Sequence, residues 1–284
     1  MAEPVSEMVI ARPSPRLRHL VHQFIGYYQR NVPITVHRGL PSRHITLVIG
    51  LGRPIRLAVM PDPSQPPGEF EICLGGLHPA AVLIEQDREQ CGIHVELNPL
   101  GAHELLGVPA EELSSQVLEL ADLPGKWMTG LTDRLAGLRT WTDRFAVLDR
   151  VLCAAATDPK SGRPQVAWAW QRMLRAGGAV PINELAGEVG WSRRHFAERF
   201  RREVGLTPKQ AARVVRFERA RALLQRADRI NLADLAATCG YHDQAHMTNE
   251  WRALAGCTPG TWIAEELPFL QYAGDDSLAD WQHD

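Results

Sequence analysis

The sequence predicts an α+β protein of two domains. A small N-terminal β-barrel, cupin-like and flanked by helices, precedes an all-α double helix-turn-helix. Three observations carry this reading. Between residues 182 and 259 one pattern is written twice. Residues 32–97 hold short runs rich in Val, Ile, Thr and Leu, parted by Pro and Gly, as strands are. Residues 208–226 contain no glycine, and no proline after Pro208, and are rich in strong helix formers, so they predict one continuous helix between the repeats.

The domain expected over residues 1–160 opens with a helix near residues 14–28. Leu17, Leu20, Val21 and Phe24 recur there at three- and four-residue steps, and Pro15 suits a first turn. Strands follow at HITLVIGLG, IRLAVM, FEICLGGL, AAVLIEQ and CGIHVEL, with DPSQPPG (62–68) as a mobile loop. Pro99 opens a helical part over residues 98–157. AHELLGV, AEELSSQV and WMTGLTDRLAGL precede a further helix at 142–156, which sets Phe145, Leu148 and Leu152 on one face. DPKSGRP (158–164) reads as the linker.

The second domain, 165–268, begins with a helix at 166–176. Its repeats occupy 182–205 and 232–256, joined by the helix at 208–226. Ile182, Leu185, Ala186 and Gly190 match Leu232, Leu235, Ala236 and Gly240 at an offset of 50. His195, Gly205 and Thr207-Pro208 match His246, Gly256 and Thr258-Pro259 at an offset of 51. The single extra residue falls in the turn after the glycine, where a duplicated supersecondary unit tolerates it. Within each copy a short helix meets a glycine suited to a left-handed turn. Ser192 or Asp243 then caps a second helix. Phe196, Phe200 and Val204, or Met247 and Trp251, face inward and leave the opposite flank free for a DNA major groove. An acidic tail, 271–284, ends the chain.

Charge is divided along the chain. Residues 1–160 carry a net −3, residues 161–270 a net +5 and residues 271–284 a net −4, within an overall −2. All but one of the basic residues in the middle block are Arg, which suits planar contacts to phosphate and guanine. The five cysteines are widely spaced with no CxxC, and no apolar run is long enough to span a membrane. No export signal opens the sequence, so a reduced, cytoplasmic setting and no membrane partner are expected.

The residues I-x-x-L-A at 182–186, S-x-R-x-x-x-x-x-F-R at 192–201, R-x-x-x-A-x-x-L-L at 216–224 and G-Y-x-D-Q-A-H-M at 240–247 resemble the AraC/XylS type of bacterial transcription regulator. Ala245 and Met247 stand where that family usually has Ser and Phe, and Asn249 where it usually has Arg. The stretch 98–123 is similar to a subgroup with a short β-rich sensory domain. The resemblance implies a regulator that binds specific double-stranded DNA. By position it implies base reading by Arg194, Ala197 and Glu198 and by Gln244 and Asn249. Helical periodicity adds Arg193 and Arg201 to the exposed face of the first reading helix, and Thr248 and Arg252 reach toward phosphate on the second. With the caps Ser192 and Asp243 these residues make the expected DNA-facing set.

Each signal has a plainer reading. A charged helix face is often only solvated, and Arg213, Arg216, Arg219 and Arg221 on the linking helix suit structural ion pairs as well as phosphate. His19 with His22, His242 with His246, and His37 with His44 lack further ligands at a recognisable spacing, so no metal and no cofactor is expected. No effector residues are assigned, although Tyr27, Tyr28, Arg38 and His44 offer polar groups in the β-domain. Cys73, Cys239 and Cys257 read as buried, inert thiols rather than catalytic ones. The alternative is an enzyme, cupin-like or a DNA-repair methyl acceptor, that uses the helix-turn-helix for targeting. A third reading is a protein-interaction module. The partners admitted beside DNA are RNA polymerase, a small-molecule effector and a second copy of the chain through the helices at 99–156.

Overall fold

The computed structural model describes residues 4–32, 35–123, 129–157, 164–226 and 231–266. The linker at 158–164, apart from its last residue, and the acidic tail lie outside them. The N-terminal part is β-rich and the C-terminal part helical. Among the described residues its strands are β1 (Val5–Ala11), β2 (Val21–Arg30), β3 (Val36–Gly39), β4 (Ile45–Gly50), β5 (Ile55–Val59), β6 (Gly68–Phe70), β7 (Ile72–Gly75), β8 (Val82–Glu85), β9 (Glu89–Leu97) and β10 (Val117–Glu119). They divide into a six-stranded sheet, ordered β1-β2-β9-β4-β7-β10, and a four-stranded sheet, ordered β3-β8-β5-β6. No ladder joins the two sheets among the described residues, where a closed barrel was expected.

The segment expected as the first helix is a pair of tight turns followed by strand β2. The amides of Leu20 and Val21 donate to the Leu17 carbonyl, and β2 then pairs antiparallel with both β1 and β9. The three- and four-residue spacing identified core residues, since Leu17, Leu20, Val21 and Phe24 are all buried, but it did not report a helix. Both faces of β2 are covered, which erases the alternation that marks a half-exposed strand. A second correction falls at AEELSSQV. Only Ala110–Leu113 forms a 3-10 turn, and the chain then turns through Ser115, at φ 57°, into β10. The expected mobile loop is tied down. The side chain of Gln65 both donates to and accepts from the backbone of Val117.

Helices α1 (Ala102–Leu106), α2 (Leu131–Ala136) and α3 (Trp141–Ala155) complete this half. Thr140 caps α3 by accepting from the Asp143 amide. Trp141 lies so close to Gly26 of β2 that any side chain there would overlap its ring.

The helical half comprises α4 (Pro164–Arg175), α5 (Ile182–Glu188), α6 (Arg193–Val204), α7 (Pro208–Arg226), α8 (Leu232–Thr238), α9 (Gln244–Ala255) and α10 (Pro259–Glu265). Helix α7 has the bounds expected of the linking helix. At ~1.5 Å per residue it is a rod of roughly 28 Å. Phe217 meets Trp251 of α9 edge-on at 4.7 Å, and Trp170 of α4 meets Phe200 of α6 in the same manner at 6.1 Å. One contiguous apolar core runs from Leu17 and Phe24 through Trp170 and Phe200 to Trp262, so the two halves share an apolar interface.

Candidate nucleic-acid interface

The two repeats adopt the same local geometry. In the first, Gly190 sits at φ 72°, its amide donates to Gly187, and the Trp191 amide donates to Ala186. In the second, Gly240 sits at φ 74°, its amide donates to Ala237, and the Tyr241 amide donates to Ala236. Left-handed backbone is costly for any residue with a Cβ, which is why both turns need glycine. The caps repeat as well. Ser192 Oγ accepts from the His195 amide at 3.3 Å, and Asp243 Oδ1 from the His246 amide at 2.7 Å. That amide, and then the His242 ring, hold the Asp243 carboxyl below the usual carboxylate range. An aromatic ring meets the following histidine edge-on in both copies, Trp191 with His195 and Tyr241 with His246.

Burial sorts the faces. On α6, Phe196, Phe200 and Val204 are fully buried, while Arg193, Arg194, Glu198 and Arg201 are exposed and Ala197 is half-buried. On α9, Met247, Trp251 and Leu254 are buried, while Gln244, Asn249 and Arg252 are exposed and Thr248 is half-buried. Ser192 and Asp243 lie at the exposed N-termini of the same helices, already engaged as caps. Arg252 Nη1 donates to Asn249 Oδ1 at 3.3 Å, which orients the amide on the outer face of α9.

Three of the arginines are committed within the fold, and a fourth lies near the β-rich half. Arg201 Nε lies 3.2 Å from Glu111 Oε1, in the N-terminal half. Arg213 on α7 grips both carboxylate oxygens of Glu250 on α9, at 2.8 and 2.9 Å. Arg216 donates to the Gly240 carbonyl and lies over the Tyr241 ring. Arg221 stands near His94 and Glu96 of β9. Arg213 and Arg216 thus hold the second reading unit rather than a free outer face.

The β-rich half touches the first unit, the linking helix and the end of α10. Beside the Glu111 pair, Ala110 packs against Gly205 at the end of α6. Ser42 donates to Glu218 of α7. At the far end, fully buried Glu266 accepts from the His37 ring, the Arg38 amide and the Arg38 guanidinium. Burial alone would push the Glu266 carboxyl up, but these partners outweigh it and hold it low.

The histidine pairs suggested by spacing do not form a common site. His19 pairs with Glu104 and His37 with Glu266. His246 accepts from the His242 amide. The fold instead brings His44 to His22, rings stacked at 4.6 Å, and sets both beside Glu96. No sequence signal marks that grouping, because its members come from three separate strand ends. His44 and Glu96 stand 3.3 Å apart without forming an ordinary ion pair. Burial, then Arg43, pulls the imidazole well below its usual range, while burial and then Glu218 push the carboxyl up to about 7. Tyr27 is half-buried, and Tyr28 donates to Glu89 at 3.1 Å.

Burial disfavours the thiolate at Cys73, Cys239 and Cys257. Burial pushes the Cys73 thiol up to about 12, and burial likewise raises Cys239 and Cys257. All five are free thiols. No described helix is long and apolar enough to cross a membrane.

Residues 185–265 match a family described as a helix-turn-helix domain. Over 121 residues the chain is 28% identical to the HTH-type transcriptional activator RhaR of Klebsiella pneumoniae, covering 43% of this chain and 37% of that one. The chain is thus matched to little more than a third of that relative's length. Among solved structures it is similar to ToxT from Vibrio cholerae, at 10% identity and a TM-score of 0.49 over 86% of this chain and 98% of that one. It is also similar to an AraC-type DNA-binding-domain regulator from Chromobacterium violaceum, at 24% identity and a TM-score of 0.34 over 40% and 96%. The family match thus covers the duplicated helix-turn-helix segment of this chain and likens it to a helix-turn-helix domain family.

Proposed function

We propose that this protein binds specific double-stranded DNA and regulates transcription. One observation carries the reading. Two units of matching geometry, joined by a rigid helix, each turn a polar flank outward from a fully buried aromatic or thioether anchor. In this reading Arg194 addresses guanine, Glu198 a cytosine amino group, and Ala197 a thymine methyl. Gln244 and Asn249 address adenine, and Arg193, Thr248 and Arg252 reach phosphate. Two weak readers joined by a rod act at high effective concentration.

The β-rich half is read as the controlling domain. Its contacts to Arg201, Glu218 and the end of α10 let a change at the sheets reach the first reader and the helix that joins it to the second. A small-molecule effector, RNA polymerase and a second copy of the chain are its proposed partners, and the cytoplasm its setting. Selection of bound genomic fragments by the purified chain tests this reading. A shared motif with two half-sites one helical turn apart supports it, and recovery of no enriched sequence refutes it.

A further inference from the structure

The end of the six-stranded sheet that faces the helical half carries an arrangement DNA binding does not require. His22 lies at the start of β2, His44 immediately before β4, and Glu96 near the end of β9. These strands are neighbours, in the order β2-β9-β4, so residues 74 positions apart in the chain meet at one sheet end. The β2–β9 register shifts between Val21 and Gln23, which leaves His22 outside the ladder. Such an irregularity re-aims a side chain. Here the His22 ring lies on that of His44, centroids 4.6 Å apart and planes 17° from parallel.

One donor atom from each of His22, His44 and Glu96 lies within 4.8 Å of the others. His44 Nδ1 is shut off from solvent and has no hydrogen-bond partner among the described residues. Glu96 Oε2 nevertheless stands only 3.3 Å from it. An orphaned ring nitrogen that close to a carboxylate oxygen calls for something between them. Two ligands at ~2.1 Å from a tetrahedral ion stand roughly 3.4 Å apart, close to the spacing found. Gln23 Nε2 donates to Glu96 Oε2 at 3.1 Å and steadies the carboxylate, as an outer-shell partner does.

We propose that His22, His44 and Glu96 hold a divalent transition-metal ion of the zinc class. Two imidazoles and one carboxylate suit such an ion better than magnesium or calcium, which take oxygen donors. The fourth position faces a cavity of about 440 Å³ between the two halves, lined by His22, His44, Arg18, Arg43, Trp170 and Arg175. An imidazole binds a metal in its own plane, so loading turns the His22 ring out of the stack. Arg43 and Arg221 oppose a cation here, and Glu218 of α7 offsets them with a second carboxylate. Because Glu218 belongs to the helix that joins the two readers, an occupied site acts on their linkage.

The test uses the full chain, free of any affinity tag, stripped with chelator and dialysed. It is titrated with zinc chloride by calorimetry and with cobalt chloride by visible absorption. One equivalent of zinc per chain is expected, with the intense visible bands of tetrahedral cobalt. His44→Ala and Glu96→Gln each weaken zinc binding at least about tenfold, while His242→Ala, on the exposed second repeat, leaves it unchanged. Should His44→Ala fail to fold, His22→Ala carries the same expectation from the cavity side. Absence of stoichiometric binding overturns the proposal. So does binding that His22→Ala and Glu96→Gln leave intact. These readouts involve no DNA, so the site stands or falls apart from the regulator reading.

Discussion

Arg201, on the outer flank of the first reading helix, is held by Glu111 of the β-rich half at 3.2 Å. A side chain expected to approach DNA is thereby shared with an acidic group that DNA would repel. Both residues are substantially exposed, so the pair contributes about 0–1 kcal/mol to stability. Its consequence is for binding. Glu111→Gln removes a negative charge near the reading face and releases Arg201. Duplex affinity is expected to rise several-fold in a fluorescence-anisotropy titration at fixed moderate salt, with unfolding unchanged within about 0.5 kcal/mol. Unaltered affinity would place Arg201 away from the bound duplex.

The two turn glycines give a stability prediction. A Cβ on Gly190 would meet nothing within 4 Å, so Gly190→Ala incurs only the cost of left-handed backbone at φ 72°. That cost is about 1–2 kcal/mol. Gly240→Ala carries the same cost and brings its Cβ to 3.3 Å from Ala179, so it destabilises somewhat more. Urea unfolding of the two variants checks the order.

Much of this architecture is legible in the chain, and the illegible parts share a cause. Gly190, Gly240, Ser192 and Asp243 act within a few residues of themselves, so their roles appear in local sequence. The bounds of α7 follow from helix propensity and from Pro208 at its first turn. Strand β2 reads as a helix because burial on both faces hides its period, and β1, β3 and β10 carry little signal of their own because each is defined by its partner. The ion pairs from Glu111 to Arg201 and from His37 to Glu266 span the two halves, as the His22, His44 and Glu96 group spans three strands. No spacing rule reaches such contacts.

Acid sensitivity should come in part from His78. It is 9% exposed, donates from Nδ1 to the Ala80 carbonyl, and burial draws its pKa down to about 4. A histidine kept neutral in the fold but titrating near 6.5 when unfolded contributes stability above pH 6.5. That contribution is lost as the pH falls toward 4. The expected loss is on the order of 3 kcal/mol, at 1.36 kcal/mol per unit. His94 shares this direction and range, drawn to about 4 by burial and then by Arg221. His78→Gln should therefore reduce, without abolishing, the slope of stability against pH between 6.5 and 4.5. An unchanged slope in denaturant titrations would contradict the assignment.

Salt should weaken DNA binding, because the charged Arg193 and Arg252 are assigned to phosphate. The logarithm of affinity falls linearly with the logarithm of salt, at about −0.9 per phosphate neutralised. Arg252→Ala should lower that slope by roughly one and weaken all sequences alike. A change confined to one base position would make Arg252 a reader instead.

The central claim is that α6 and α9 read one duplex together, with α6 supplying most of the affinity. The direct measurement is an anisotropy titration of a selected duplex with the parent chain, Arg194→Ala, Gln244→Ala and the double variant. The account predicts a loss of about 1–3 kcal/mol for Arg194→Ala, with relaxed specificity at one base, and a smaller loss for Gln244→Ala at a base in the other half-site. Equal affinity of all four proteins for the selected duplex, or a larger loss from Gln244→Ala than from Arg194→Ala, would contradict it.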